Sequence, residues 1–188
     1  MPDIEQSFTI DQPIERVWDF FQDVPAVVTC MPGLEFTGAT GPASYSGKVR
    51  VKLGPIAAAF QGEATIVETN AAERRARLEA KGIDRHGGNR AQATVTYELT
   101  AAGTGTAVRL YGDIKLAGAL AQMGRSGIIQ DVAAEITRQF AEALRAKLAA
   151  ATGAAAAPAA PPALGGGRLL WQLVWHRVRN LVARLFRL

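Results

Sequence analysis

The sequence predicts an α+β fold: a curved antiparallel sheet of about seven strands around a long C-terminal helix, followed by a linker and an amphipathic tail helix. Three observations predict it. Period-two alternation of apolar and polar residues runs almost unbroken from Leu34 to Leu116, interrupted only by short Gly-, Pro- and Asn-rich stretches. After it, Ile129, Val132, Ile136, Phe140, Leu144 and Leu148 recur every three or four residues, which lines one face of a helix. Beyond Leu148 the composition changes abruptly, first to Ala, Pro and Gly, then to arginine mixed with large apolar residues.

The elements follow in order. Ile4, Gln6, Phe8 and Ile10 alternate with Glu5, Ser7 and Thr9, a half-buried first strand. Asp11-Gln12-Pro13 is a helix start, and a helix carrying Val17, Trp18, Phe20 and Phe21 is expected to end near Asp23. Val24-Pro25 opens a second short helix through Val28, which Met31-Pro32-Gly33 stops. Trp18 is expected in the core. Six further strands are predicted at residues 34–39, 45–53, 58–68, 74–81, 91–100 and 106–116. Short connections make them an antiparallel meander. The long helix is expected from Leu120 to Leu148, with Arg125, Asp131, Glu135, Arg138, Glu142 and Arg145 in water. Its length would be roughly 40 Å at ~1.5 Å per residue.

Alternation also assigns the faces. Lys48, Arg50 and Lys52 point one way and Gly47, Val49 and Val51 the other; Arg75, Arg77, Glu79 and Lys81 oppose Ala76, Leu78 and Ala80. Extended over five strands, the inward set has 22 members, of which nine are Gly or Ala. A sheet packed solidly on a helix presents bulkier residues, because interiors fill to crystal-like density. Two explanations stand side by side. Glycines let a curved sheet bend and alanines let the helix approach, or the concave face encloses an unfilled apolar space.

Several motifs now carry a resemblance. Cys30-Met31-Pro32-Gly33-Leu34, Gly47 through Ile56 (GKVRVKLGPI), Phe60-Gln61-Gly62 and Leu116 through Arg125 (LAGALAQMGR) resemble the family of the carbon monoxide dehydrogenase G subunit. The element order resembles the helix-grip fold of START-like lipid carriers and pollen-allergen-type proteins (the SRPBCC superfamily). The resemblance covers about residues 1–150. It implies a deep hydrophobic cavity between sheet and long helix. The lining assigned to it is Met31, Val49, Val51, Phe60, Leu78, Ala93, Val95, Tyr97, Leu110, Met123, Ile128 and Val132. It also implies an accessory role to a molybdenum-containing carbon monoxide dehydrogenase-type hydroxylase at the cytoplasmic membrane.

Composition bounds the chemistry. His86 and His176 are the only histidines and Cys30 the only cysteine, too few for a metal constellation or a disulfide. The inferred inward face has no Asp, Glu, Lys or His for proton transfer. Tyr45 and Tyr97 are its only hydrogen-bond donors, read equally as core tyrosines or ligand contacts. No catalytic residue, metal or covalent cofactor is expected. Gly118, Gly124 and Gly127 weaken the first turns of the expected long helix, each by up to ~1 kcal/mol relative to alanine. This segment and the Met31–Leu34 loop are read either as flanking a mouth that opens and closes, or as close helix–sheet packing.

The net charge of +4 resides in the tail. Residues 168–188 hold five of the 21 basic side chains and no acid, so residues 1–167 carry 16 basic and 17 acidic groups. Nucleic-acid binding by a basic domain face is thereby disfavoured. The start, Met-Pro-Asp-Ile-Glu-Gln-Ser-Phe, lacks the basic-then-apolar pattern of a secretory signal, and a cytoplasmic protein is expected. Three segments are predicted: a helix-grip domain over 1–149, an Ala/Pro/Gly linker over 150–167, and an amphipathic helix over 168–188. On that helix Trp171, Trp175, Val178 and Leu185 share a face flanked by Arg177 and Arg184, with Phe186 adding apolar surface. Five arginines oppose a spanning helix, whereas a basic amphipathic helix with two tryptophans suits an anionic bilayer surface. A helix docking on a partner protein is the other reading.

Together these features predict a peripheral protein on the inner face of the cytoplasmic membrane. It binds a lipophilic small molecule, best a respiratory quinone, and presents it to the dehydrogenase or recruits the dehydrogenase to lipid. Two alternatives stay open: a recruitment adaptor with an incidental cavity, and an enzyme acting on hydrophobic ring substrates.

Overall fold

The structure, a computed structural model, describes residues 3–53, 56–121 and 127–151. The chain divides into two units, Met1–Gly153 and Ala154–Leu188. The second unit, with nearly all of the expected linker and the whole tail helix, lies outside the described residues.

The strands are β1 (Asp3–Ile10), β2 (Leu34–Gly41), β3 (Ser44–Leu53), β4 (Ile56–Asn70), β5 (Arg75–Asp84), β6 (Asn89–Ala102) and β7 (Gly105–Ala117). Between β1 and β2 lie α1 (Ile14–Gln22) and α2 (Val24–Val28); α3 (Ile128–Ala151) follows β7. The sheet order is β1-β7-β6-β5-β4-β3-β2, every neighbour antiparallel. This is the helix-grip arrangement. Pro13 stands immediately before α1, where its fixed φ and missing N–H cost nothing. Asp23 starts α2, its Oδ1 accepting from the Ala26 amide at 3.1 Å.

The long helix begins later than its apolar spacing predicts. Helix α3 starts at Ile128 rather than Leu120 and runs to Ala151, about 36 Å at ~1.5 Å per residue. Gly118 (φ +86°) and Gly127 (φ +73°) adopt left-handed conformations that a continuous right-handed helix excludes. Residues 119–121 form a single tight turn between them. The expected face of α3 is borne out: Ile129, Phe140, Leu144 and Leu148 are buried, Val132 and Ile136 partly so. At its far end Arg145 donates to the Thr9 carbonyl from Nε at 3.1 Å and Nη2 at 2.8 Å. Arg16 donates to the Leu148 carbonyl at 3.1 Å. Both bonds pin the end of α3 to the end of β1 and the start of α1.

Two apolar clusters form. The larger joins Val17, Trp18 and Phe21 of α1 to Tyr97, Leu99 and Val108 of the sheet and Phe140, Leu144 and Leu148 of α3. Ring centroids lie 4.9 Å apart for Phe21–Tyr97 and 6.2 Å for Trp18–Tyr97, so aromatic packing fills this end. The smaller cluster, at the other end, is built on Ala58 and Leu120, with Val51, Phe60, Leu116, Ile128 and Val132 against them.

Candidate functional site

The concave face between the clusters is the candidate site. Leu78 stands opposite Ile66 on one side and Val95 on the other; in the next row Ala80 stands opposite Ala64 and Ala93, and Ala93 opposite Ile114. All of these apolar residues are only partly buried, and none belongs to either cluster. Apolar surface in the middle of a domain is normally covered, at roughly 25 cal/mol per Å². This band therefore offers itself to an apolar guest.

Eleven of the twelve expected lining residues divide among three places. Met31, Tyr97 and Leu110 pack with the aromatic cluster, and Val51, Phe60, Ile128 and Val132 with the Leu120 cluster. Val49, Leu78, Ala93 and Val95 occupy the half-buried band or its border. Met123 lies outside the described residues, as do Trp171, Trp175, Arg177, Arg184 and Phe186. Tyr97 is 8% exposed. Burial pushes its hydroxyl pKa up, against the opposing hydrogen bond with the Gln22 side chain. Tyr45 lies at the other sheet edge beside Phe36, ring centroids 6.3 Å apart.

The glycines of the inward set answer one of the two explanations. A Cβ on Gly62 would stand 1.9 Å from the Lys81 carbonyl oxygen and 2.7 Å from the Gly82 Cα. Gly62 thus serves the close approach of β4 and β5, and its missing side chain opens no room. The alanines Ala64, Ala80, Ala91 and Ala93 are the small inward residues that stay partly buried.

A polar latch was not legible in the sequence. Asp84 and Asn89, at the two ends of the β5–β6 turn, are 4% and 3% exposed. Asp84 Oδ1 accepts from the amides of His86 (3.2 Å) and Gly87 (3.1 Å), and Asn89 Nδ2 donates to Asp84 Oδ2 at 3.0 Å. Asn89 Oδ1 in turn accepts from the Leu120 amide. The latch holds the turn after β7, and with it the fully buried Leu120 side chain, over the end of the concave face. A hollow of about 280 Å³ opens near this end, lined by Arg50, Val51, Lys52, Ala57, Ala58 and Ala59.

Among the described residues no group of three His, Cys, Asp or Glu is arranged to hold a metal ion. Nor is any described helix long and apolar enough to cross a membrane. Cys30 is buried, and desolvation pushes its thiol pKa up despite nearby Lys147.

The family model for the G subunit of carbon monoxide dehydrogenase (CoxG) matches residues 7–149. The chain belongs to the CoxG family. No curated protein matches it significantly. Among solved structures, a conserved protein from Geobacillus kaustophilus aligns with a TM-score of 0.70 at 15% identity, covering 80% of this chain and 97% of that one. A Thermus thermophilus protein aligns at 0.60 and 17% identity, covering 80% and 99%. The ZhuI aromatase/cyclase from Streptomyces sp. R1128 aligns at 0.59 and 14% identity, covering 82% and 98%. At these identities the likeness shows a shared fold. It spans nearly the whole of each neighbour, so the CoxG domain of this chain corresponds to a complete helix-grip unit.

Proposed function

We propose that this CoxG-family protein is a membrane-tethered carrier for a lipophilic small molecule, best a respiratory quinone. It would present that molecule to a carbon monoxide dehydrogenase-type molybdenum hydroxylase. The reading is supported above all by the half-buried apolar band around Leu78, Ala93 and Val95, set between two closed clusters. Family membership supports the accessory role. The arginine- and tryptophan-rich segment 168–188 supports the tether, by its sequence. A soluble oxidoreductase must pass electrons to an acceptor dissolved in lipid, and a carrier on a linker answers that need. No covalent cofactor is required; the quinone is cargo.

The experiment is transfer between vesicles. Donor vesicles carrying quinone are mixed with empty acceptors, with and without the full chain. Accelerated transfer supports the reading, and transfer no faster than the spontaneous rate overturns it. Deleting 168–188 should sharply weaken flotation with vesicles; flotation that is undiminished would assign the anchor elsewhere.

A second reading, catalysis on a hydrophobic ring compound, draws on the fold shared with an aromatase/cyclase. It requires an acid–base group on the concave face and predicts a chemically altered product after incubation with a hydrophobic ring compound.

A further inference from the structure

The folded domain is nearly neutral in total, yet its charge is polarised along the strands. The β3–β4 and β5–β6 turns and the end of β7 lie at one end of the sheet, as the strand registers require. Within residues 48–61, 81–92 and 114–118 the only acid is the buried Asp84. The same segments carry Arg50, Lys52, Lys81, Arg85 and Arg90, all exposed and without an ion pair among the described residues. Lys48 and Lys115 add two more cations, lightly held by Glu35 at 3.7 Å and Asp113 at 3.8 Å. Glu63 borders this segment, directly across from Lys81, and beyond it residues 64–80 and 93–112 mix Glu68, Glu73, Glu79 and Glu98 with four arginines.

The outward alternation brings the cations together. Arg90, Ile83, Gln61 and Lys48 form one row across β6, β5, β4 and β3. Lys48, Arg50 and Lys52 follow along β3 at roughly 6.8 Å per pair of residues. That spacing lies inside the ~8 Å screening length of physiological salt, so their fields add. In the middle of this cationic field stands Ile83, 50% exposed, the most exposed large apolar side chain among the described residues. Cations surrounding an exposed aliphatic wedge match the two layers of a bilayer surface: anionic headgroups above, acyl chains below.

We propose that this end of the sheet docks on an anionic lipid surface, with Ile83 reaching below the headgroups. The domain itself, in addition to the tail, then faces the membrane. The docked end is the one closed by Leu120 and its Asp84–Asn89 latch, so the latch that bounds the candidate ligand face, on the other side of these strands, lies at the lipid from which a cargo would come. The inference rests on the carrier reading for that cargo only, and the surface is testable without it.

The full chain with Ile83→Cys is labelled with an environment-sensitive fluorophore; Cys30, 3% exposed, stays unlabelled. A second variant labels Val67→Cys, on β4 beyond the cationic segments and 41% exposed. On phosphatidylcholine vesicles containing phosphatidylglycerol, the label at position 83 should brighten and shift to the blue, and the label at 67 should not. Neither should respond to pure phosphatidylcholine. Adding Arg50→Gln, Lys52→Gln, Lys81→Gln and Arg90→Gln should remove the signal at 83 while the tail keeps the chain on the vesicles. Silence at 83 with the chain still bound overturns the proposal and leaves the tail as the membrane contact. Equal signals at 83 and 67 overturn it too. A signal at 83 produced by the dehydrogenase without vesicles would also overturn it, by assigning the surface to a protein partner. Quinone transfer is read separately, so failure of the carrier reading shows there and not in the label.

Discussion

The Leu120 amide donates to Asn89 Oδ1 at 3.2 Å, across 31 residues of sequence and with both partners buried. That bond ties the turn after β7 to the β5–β6 turn. Gly118 is required beside it, since a Cβ there would stand 2.8 Å from the same oxygen. Asn89→Ala leaves the Leu120 amide without its acceptor. The account predicts that this amide then exchanges with solvent faster by on the order of tenfold, the cost of one buried hydrogen bond. Amides in the 132–144 stretch of α3 should be unchanged. Equal acceleration along α3 would mean that the turn and helix open as one body, without a separate latch.

Asp84 makes the same latch sensitive to acid. The Asn89 amide group first, then the backbone amides of Gly87 and His86, hold its carboxyl below the ordinary value, against desolvation that raises it. A carboxyl held low in the fold adds stability above its unfolded pKa, about 3.9, and loses it as pH falls through the folded value. Melting temperatures of the native chain and Asp84→Ala should therefore differ by a constant amount from about pH 5 to 8 and converge below about pH 4. A gap that widens in acid contradicts the assignment.

Phe140 joins the helix to the aromatic end, 5.9 Å from Phe8 and 6.1 Å from Phe21 by ring centroids, both edge-on. Phe140→Ala should cost about 3–5 kcal/mol in chemical denaturation, because the surrounding rings are fixed from two other elements, β1 and α1, and cannot collapse into the void. A loss under about 1 kcal/mol would show this end to be loosely packed.

Ala93→Phe places a ring in the half-buried band. Ala93 lies between Ala80 and Ile114 and is partly buried. Ligand binding should fall by at least tenfold while melting temperature changes little. If dehydrogenase activity at the membrane is unaffected, the chain acts as a recruitment adaptor and the cavity is incidental. Gly62→Leu is no equivalent test: its side chain would meet the β5 backbone, so lost binding would report a broken sheet.

Much of this was readable from the chain because strand alternation is a local signal. Lys48, Arg50 and Lys52 had to face water, which placed Val49 and Val51 on the other face, where the structure has them. The start of α3 was not readable because Leu116, Leu120 and Met123 continue the helical spacing in the sequence, and the positive φ of Gly118 and Gly127 breaks it. Asp84 and Asn89 flank a Gly-rich turn and carry no local signal of burial; the bond from Asn89 to the Leu120 amide reaches a segment some thirty residues later. The cationic end was hidden because Glu63, Glu68, Glu73, Glu79 and Glu98 cancel it in any sum over the domain. For Gly62 the alternation left close approach and open space both standing, and only the position of the Lys81 carbonyl decides for close approach.

Native mass spectrometry of the full chain purified from its own membranes addresses the carrier role most directly. The expected spectrum shows a mass shift corresponding to one bound lipophilic molecule, released as a quinone on collisional activation and missing from Ala93→Phe. A chain that flies only at its bare mass, from membranes rich in quinone, would contradict it.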